Sequence, residues 1–117
     1  MKSRLHYFAI TASTLLALAL FALPLSSSAA DAPAVPVAIK IDNFSFNPPT
    51  ITIPAGTQVT WTNQDDIPHT VVSDDKTTFK SRALDTDDKF SFTFTKPGTY
   101  EYFCSIHPHM TAKIVVQ

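Results

Sequence analysis

The sequence predicts an all-β fold, an antiparallel β-sandwich, on three observations. Short runs alternate between apolar and polar residues, most clearly at 89–95, where every second residue is phenylalanine. Proline and glycine mark turns between these runs, as at 54–56 and 96–98. Beyond residue 30, no stretch keeps an apolar period of 3.6 residues long enough for a helix. Short strands separated by turns are typical of a sandwich.

The alternating runs predict the strands one by one. They are residues 37–41, 50–53, 57–63, 69–72, 89–95, 99–104 and 112–116. Phe44 and Phe46 lie two residues apart, so an extended chain would point both rings to the same face. Residues 73–88 are acidic and irregular, and we expect connecting loops there with a solvated surface.

Residues 1–30 have the pattern of a secretory signal peptide. Lys2 and Arg4 precede an apolar run over 8–23, and Ser28-Ala29-Ala30 fits the small-x-small cleavage rule. The apolar run is shorter than the ~20 residues that a membrane span needs. We therefore expect cleavage before Asp31, no membrane span afterwards, and a location in the periplasm or outside the cell.

The remaining residues, 31–117, are expected to form one small monomeric domain behind a short lead-in at 31–36. Without the leader, seven basic residues face ten acidic ones, which argues against nucleic acid as a partner. A domain of this size often needs a covalent crosslink or a bound metal to stabilise its fold. The single cysteine cannot form a disulfide within the chain, so a bound metal is the other common solution.

Four side chains form a candidate metal site. Cys104, His107 and Met110 recur every three residues, and His69 lies far upstream. A thiolate, two imidazoles and a weak thioether are the ligand set of a blue-copper electron-transfer centre. Extended chain would carry Met110 ~20 Å from Cys104, so the hypothesis requires a compact turn after the cysteine. His109 is expected to be an exposed loop residue and not a ligand.

The segment Cys104-Ser105-Ile106-His107-Pro108-His109-Met110 resembles the copper loop of amicyanins, small blue-copper proteins of the cupredoxin superfamily that includes plastocyanin and azurin. Thr60-Trp61-Thr62-Asn63 followed by Pro68-His69 is similar to the amicyanin segment that carries the first histidine. Pro97-Gly98-Thr99-Tyr100 matches the turn before the cysteine strand. The resemblance implies a Greek-key sandwich of the cupredoxin type.

The same resemblance implies His69, Cys104 and His107 as strong ligands of one copper ion and Met110 as the weak axial ligand. It also implies that Asn63 ties the His69 loop to the cysteine loop by hydrogen bonds near Ser105. The implied function is a type 1 copper electron carrier, shuttling single electrons as Cu(I) and Cu(II) alternate. Its donor and acceptor would be redox proteins, such as a dehydrogenase, cytochrome or oxidase.

Two other functions use the same residues. A copper-binding carrier or storage module would share all four ligands and lack a redox circuit. An enzyme could use Cys104 as nucleophile and His69 or His107 as base, but the sequence shows no orienting third group or oxyanion hole. We therefore expect that the protein is not an enzyme.

Overall fold

The computed structural model describes residue 22 and residues 34–117. Within this part the chain forms eight strands. They are β1 (Val37–Asp42), β2 (Ser45–Asn47), β3 (Thr50–Ile53), β4 (Thr57–Asn63), β5 (Val72–Ser73), β6 (Lys89–Phe94), β7 (Gly98–Phe103) and β8 (Thr111–Val116). The predicted all-β sandwich is confirmed.

Two four-stranded sheets face each other, with strand orders β2-β1-β4-β6 and β3-β8-β7-β5. Most neighbouring strands are antiparallel, as predicted. Each sheet also contains one parallel pair, β1 with β4 and β3 with β8. Alternation along a strand reports which face is buried and not which direction its neighbour runs, so the sequence pattern did not distinguish these pairs.

The core between the sheets is built around Trp61. Its side chain is fully buried and packs against Phe79, Phe90, Phe94 and Tyr102. The indole N–H donates a hydrogen bond of 3.2 Å to the Tyr102 hydroxyl, which satisfies the buried polar atom. Burial raises the pKa of Tyr102 to about 12 against the opposing effect of this bond, so the phenol stays neutral.

Two local expectations are wrong. Phe44 and Phe46 do not share a face: Phe46 is buried, whereas Phe44 is 45% exposed, because Asn43 and Phe44 form a tight turn between β1 and β2. The predicted strand at 69–72 is also mostly absent. His69 makes only an isolated bridge to Leu84, and β5 begins at residue 72.

The sheet geometry brings three chain segments to one end of the sandwich. Because β1 and β4 are parallel, their carboxyl ends lie at the same edge. The turn at residues 43–44 follows β1, and the loop leading to His69 follows β4. Cys104 directly follows β7 of the other sheet. The candidate ligands therefore lie at one pole of the sandwich.

The predicted signal peptide lies outside the described residues except for Ala22, so its cleavage remains a prediction. The described residues contain no helix that is long and apolar enough to span a membrane.

Leu84 links the core to the loop that carries His69, and its side chain is 1% exposed. We expect Leu84→Ala to lower the free energy of unfolding of the metal-free protein by about 2–5 kcal/mol, through lost burial and a residual cavity. Chemical denaturation measures this change. Val35→Ala, at a site 77% exposed, is the control and should change stability by less than about 0.5 kcal/mol. Equal effects would contradict the assigned core.

Candidate metal centre

Three donor atoms converge at the pole of the sandwich. The Nδ1 atoms of His69 and His107 are 3.2 Å apart, and each lies 3.8 Å from the Cys104 sulfur. His69 and Cys104 are fully buried, whereas His107 is half-buried. The structure thus brings together three of the predicted ligands from two distant chain regions, in an arrangement suited to one metal ion.

The size of this donor triangle fits a first-row metal ion. The point equidistant from the corners of a triangle with sides of 3.2, 3.8 and 3.8 Å lies about 2.1 Å from each corner. Imidazole nitrogen and thiolate sulfur bind zinc, a divalent ion of the same row, at ~2.0–2.3 Å. The two distances are similar. The donor set selects among such metals, since two imidazoles and one thiolate in a trigonal arrangement with a weak axial group are typical of blue copper.

The surroundings of Cys104 favour the thiolate that a metal requires. Burial raises the pKa of the thiol, but hydrogen bonds to the sulfur outweigh it, first among them that from the backbone N–H of Thr70 at 3.3 Å. The pKa of Cys104 falls to about 6. The sulfur is therefore largely ionised at neutral pH even before it binds a metal.

The compact turn that the hypothesis required after Cys104 is present. The backbone N–H of Cys104 donates to the carbonyl of Met110 at 3.1 Å, and the N–H of Met110 donates to the carbonyl of His107 at 2.9 Å. Met110 is 6% exposed and packs in the same core cluster as Cys104. His109 is exposed, as expected. The loop thus returns Met110 to the cysteine, where the weak axial ligand was predicted.

His69 is fixed on both its main chain and its ring. Its backbone exchanges two hydrogen bonds with Leu84, at 3.1 and 2.7 Å. On the ring, Nε2 lies 2.7 Å from a carboxylate oxygen of Asp65. An ionised carboxylate only accepts, so Nε2 carries the proton and Nδ1 presents its lone pair to the site.

Asp65 is held in the ionised state that this role needs. Its partial burial opposes ionisation and would raise its pKa. Hydrogen bonds from the N–H of Phe44, the ring of His69 and the N–H of Asn43 outweigh that effect, so the pKa of Asp65 lies below its ordinary value of 3.8. The carboxylate therefore supports the ligand ring throughout the neutral range.

The implied hydrogen bond between Asn63 and the cysteine loop is wrong. The Asn63 side chain stays within its own loop region, donating to the carbonyls of Ile67 and Leu84 and accepting from the N–H of Asp65. Thr70 makes the predicted link instead. Its hydroxyl oxygen accepts from the N–H of Ser105 at 2.7 Å and pairs with the Ser105 hydroxyl at 2.8 Å.

Three residues that contact the ligand side chains were not found from the sequence: Asp65, Thr70 and Phe44, whose ring lies against the rings of His69 and His107. The sequence could have indicated Asp65, because an acidic residue four positions before a metal-ligating histidine is a candidate partner for the second nitrogen of that histidine. The sequence could also have indicated Thr70, because it is a polar residue next to the candidate ligand His69. The sequence could not have indicated Phe44, because its turn conformation depends on contacts with a distant loop.

Comparisons with known proteins agree with this site. A family model described as Cupredoxin-like domain matches residues 14–116. The amicyanin of Paracoccus versutus is 35% identical over 96 residues, which cover 77% of this chain and 71% of the relative. The chain belongs to the cupredoxin family, as an amicyanin-like blue-copper protein.

Solved structures of cupredoxin domains are similar as well. The Cu(I) form of an amicyanin mutant superposes with a TM-score of 0.65 at 30% identity, covering 69% of this chain and 81% of that one. The Cu-containing nitrite reductase of Thermus scotoductus superposes with a TM-score of 0.66 at 36% identity, but only 22% of that chain is covered. The family and the donor triangle together confirm the predicted cofactor, one copper ion in a type 1 site.

Asp65 supplies a test of how the cupredoxin site is supported. We expect Asp65→Ala to weaken metal binding about 10–100-fold, the usual loss when the partner of a ligating histidine is removed. Competition with a chelator of known affinity measures the change. Asp66→Ala removes the same charge from the exposed neighbouring position and is the control. Similar losses in both variants would mean that overall charge, and not the His69 contact, controls affinity.

Proposed function

We propose that this protein is a periplasmic electron carrier that acts as a monomer between a donor and an acceptor redox protein. His69, Cys104, His107 and Met110 are its proposed copper ligands. The observation that carries the proposal is the convergence of two imidazole nitrogens and one sulfur in a compact triangle. When bound there, copper supplies a one-electron couple between Cu(II) and Cu(I).

His107 is the proposed port for the electron. It is half-buried, whereas the other nitrogen ligand, His69, is fully buried. Three of the four exposed large apolar residues within the described part of the chain belong to segments around the site, namely Phe44, Ile67 and Ile106. We call them, with the exposed Pro68 and Pro108, the apolar rim. An apolar surface of this kind suits docking, and redox encounters bury little area, so partners separate quickly.

The protein's own residues prepare the site for electron transfer in three ways. The Asp65 carboxylate keeps the proton of His69 on Nε2, so that Nδ1 is free to bind the metal. The N–H of Thr70 stabilises the ionised sulfur of Cys104. The Thr70–Ser105 pair joins the two ligand loops, so the donors keep their spacing. These contacts, made by the protein's own groups, hold the three donors at a spacing suited to one metal ion.

A catalytic role for Cys104 receives no support from the geometry. The side chain is fully buried, and its sulfur faces two imidazoles and a backbone N–H. A nucleophile needs a path for its substrate. The similarity to nitrite reductase covers less than a quarter of that chain and carries no activity with it.

The first test of this function is spectroscopic. We expect the copper-loaded protein to show the intense visible absorption of a type 1 site, and to bleach and recover reversibly on reduction and oxidation. His107→Ala should lose that absorption, whereas His109→Ala, an exposed histidine two residues away, should keep it. A colourless Cu(II) complex of the unaltered protein would reject the proposal, and irreversible cycling would favour copper storage instead.

The second test concerns the apolar rim. We expect Ile67→Lys to slow electron self-exchange at least about tenfold, because approach of two rims would bring a desolvated charge into the contact. Line broadening in nuclear magnetic resonance spectra of mixed oxidation states measures the rate. Val35→Lys adds the same charge at a position 77% exposed and outside the rim. Equal slowing in both variants would show that net charge, and not rim docking, sets the rate.

A further inference from the structure

The turn between β1 and β2 places a bulky residue where the backbone favours glycine. Asp42 pairs with Ser45, which leaves Asn43 and Phe44 as a two-residue loop. Both have positive φ, 50° and 55°, as in a type I′ turn. Asparagine suits the first position, and glycine is the usual residue at the second. A phenylalanine there is strained and needs a reason.

The hydrophobic core does not supply that reason. Phe44 is 45% exposed and lies outside the core cluster, whereas Phe46, two residues later, is 2% exposed and packs on Tyr102. A ring that stays near half-exposed on a strained backbone gains little from burial. The contacts that the ring does make must therefore explain its position.

Those contacts are with both imidazoles of the site. The Phe44 ring meets the His69 ring edge-to-face at a centroid distance of 5.4 Å and an angle of 89°. It meets the His107 ring at 5.1 Å and 86°. The ring centroids of the two imidazoles are 4.9 Å apart. One phenyl ring thus spans the pair of nitrogen ligands from outside, in the geometry that aromatic pairs prefer.

The turn is anchored to the same loop as the ligand. The two carboxylate oxygens of Asp65 accept hydrogen bonds from the N–H of Asn43 at 2.7 Å and of Phe44 at 3.0 Å. The oxygen that accepts from Phe44 also contacts Nε2 of His69. The backbone of Phe44 is therefore held by one side chain that also orients a ligand.

We propose that Phe44 is a positioning residue of the metal centre, a ring that braces the imidazoles of His69 and His107 so that both keep their places when the copper changes oxidation state. This inference rests on the proposed function for its consequence, since a carrier works best when its site moves little. The brace is made by the protein's own rings, so it can be measured in the metal-free protein. We expect His107 to gain most from it, because this ring is only half-buried and Phe44 contacts it edge-to-face.

The test compares three variants at this position. Phe44→Gly removes the ring and suits the turn, and Phe44→Leu removes the aromatic ring but keeps apolar bulk. Phe44→Tyr retains the ring and is the matched control. Two quantities are measured: the order of the two imidazole rings in the metal-free protein, by side-chain relaxation in nuclear magnetic resonance, and the rate at which a strong Cu(I) chelator removes copper from the reduced protein.

We expect both ring-deleted variants to lower the order of the His107 ring and to release Cu(I) about tenfold faster, a factor in keeping with the loss of two edge-to-face contacts. Phe44→Tyr should stay within twofold of the unaltered protein. Release rates and ring order that remain unchanged in both Phe44→Gly and Phe44→Leu would overturn the proposal. Failure of the proposed function would give a different result from failure of this inference. It would appear as the absence of type 1 absorption in the unaltered protein.

Discussion

The protein depends on one spatial constraint: two imidazole nitrogens must lie 3.2 Å apart beside a buried sulfur, at the right size for one metal ion. No single chain segment can meet this constraint, because His69 and Cys104 are separated by 35 positions. The sandwich meets it by ending β4 and β7 at one pole. The sheets then carry the ligand loops and hold the three donors close together.

Asp65 connects the parts of the site that the sheets alone do not join. Its carboxylate bonds to two backbone N–H groups of the turn at residues 43–44 and to the ring of His69. Thr70 has a similar role on the other side, where it contacts both the sulfur of Cys104 and the backbone of Ser105. These two short polar side chains orient the ligands, which is the usual task of residues next to a metal site.

The surface around the site has features that lower the stability of the fold. The apolar rim leaves Phe44, Ile67 and Ile106 between 37% and 46% exposed, although their burial would stabilise the fold. The turn also keeps a phenylalanine at positive φ. Such local costs are typical of functional sites and are supported by the rest of the structure. Here the support is the core around Trp61, in which Cys104 and Met110 also pack.

The sequence by itself determined the fold class, most strands and the four candidate ligands. Alternation reports burial directly, and a thiolate with two imidazoles and a thioether at short spacing has few chemical uses. Tertiary structure alone decided three features: the parallel strand pairs, the Thr70–Ser105 link in place of the Asn63 bond, and the position of Phe44. The physical reason is common to them. Each depends on a partner distant in the chain, and local periodicity carries no information about which distant groups will meet.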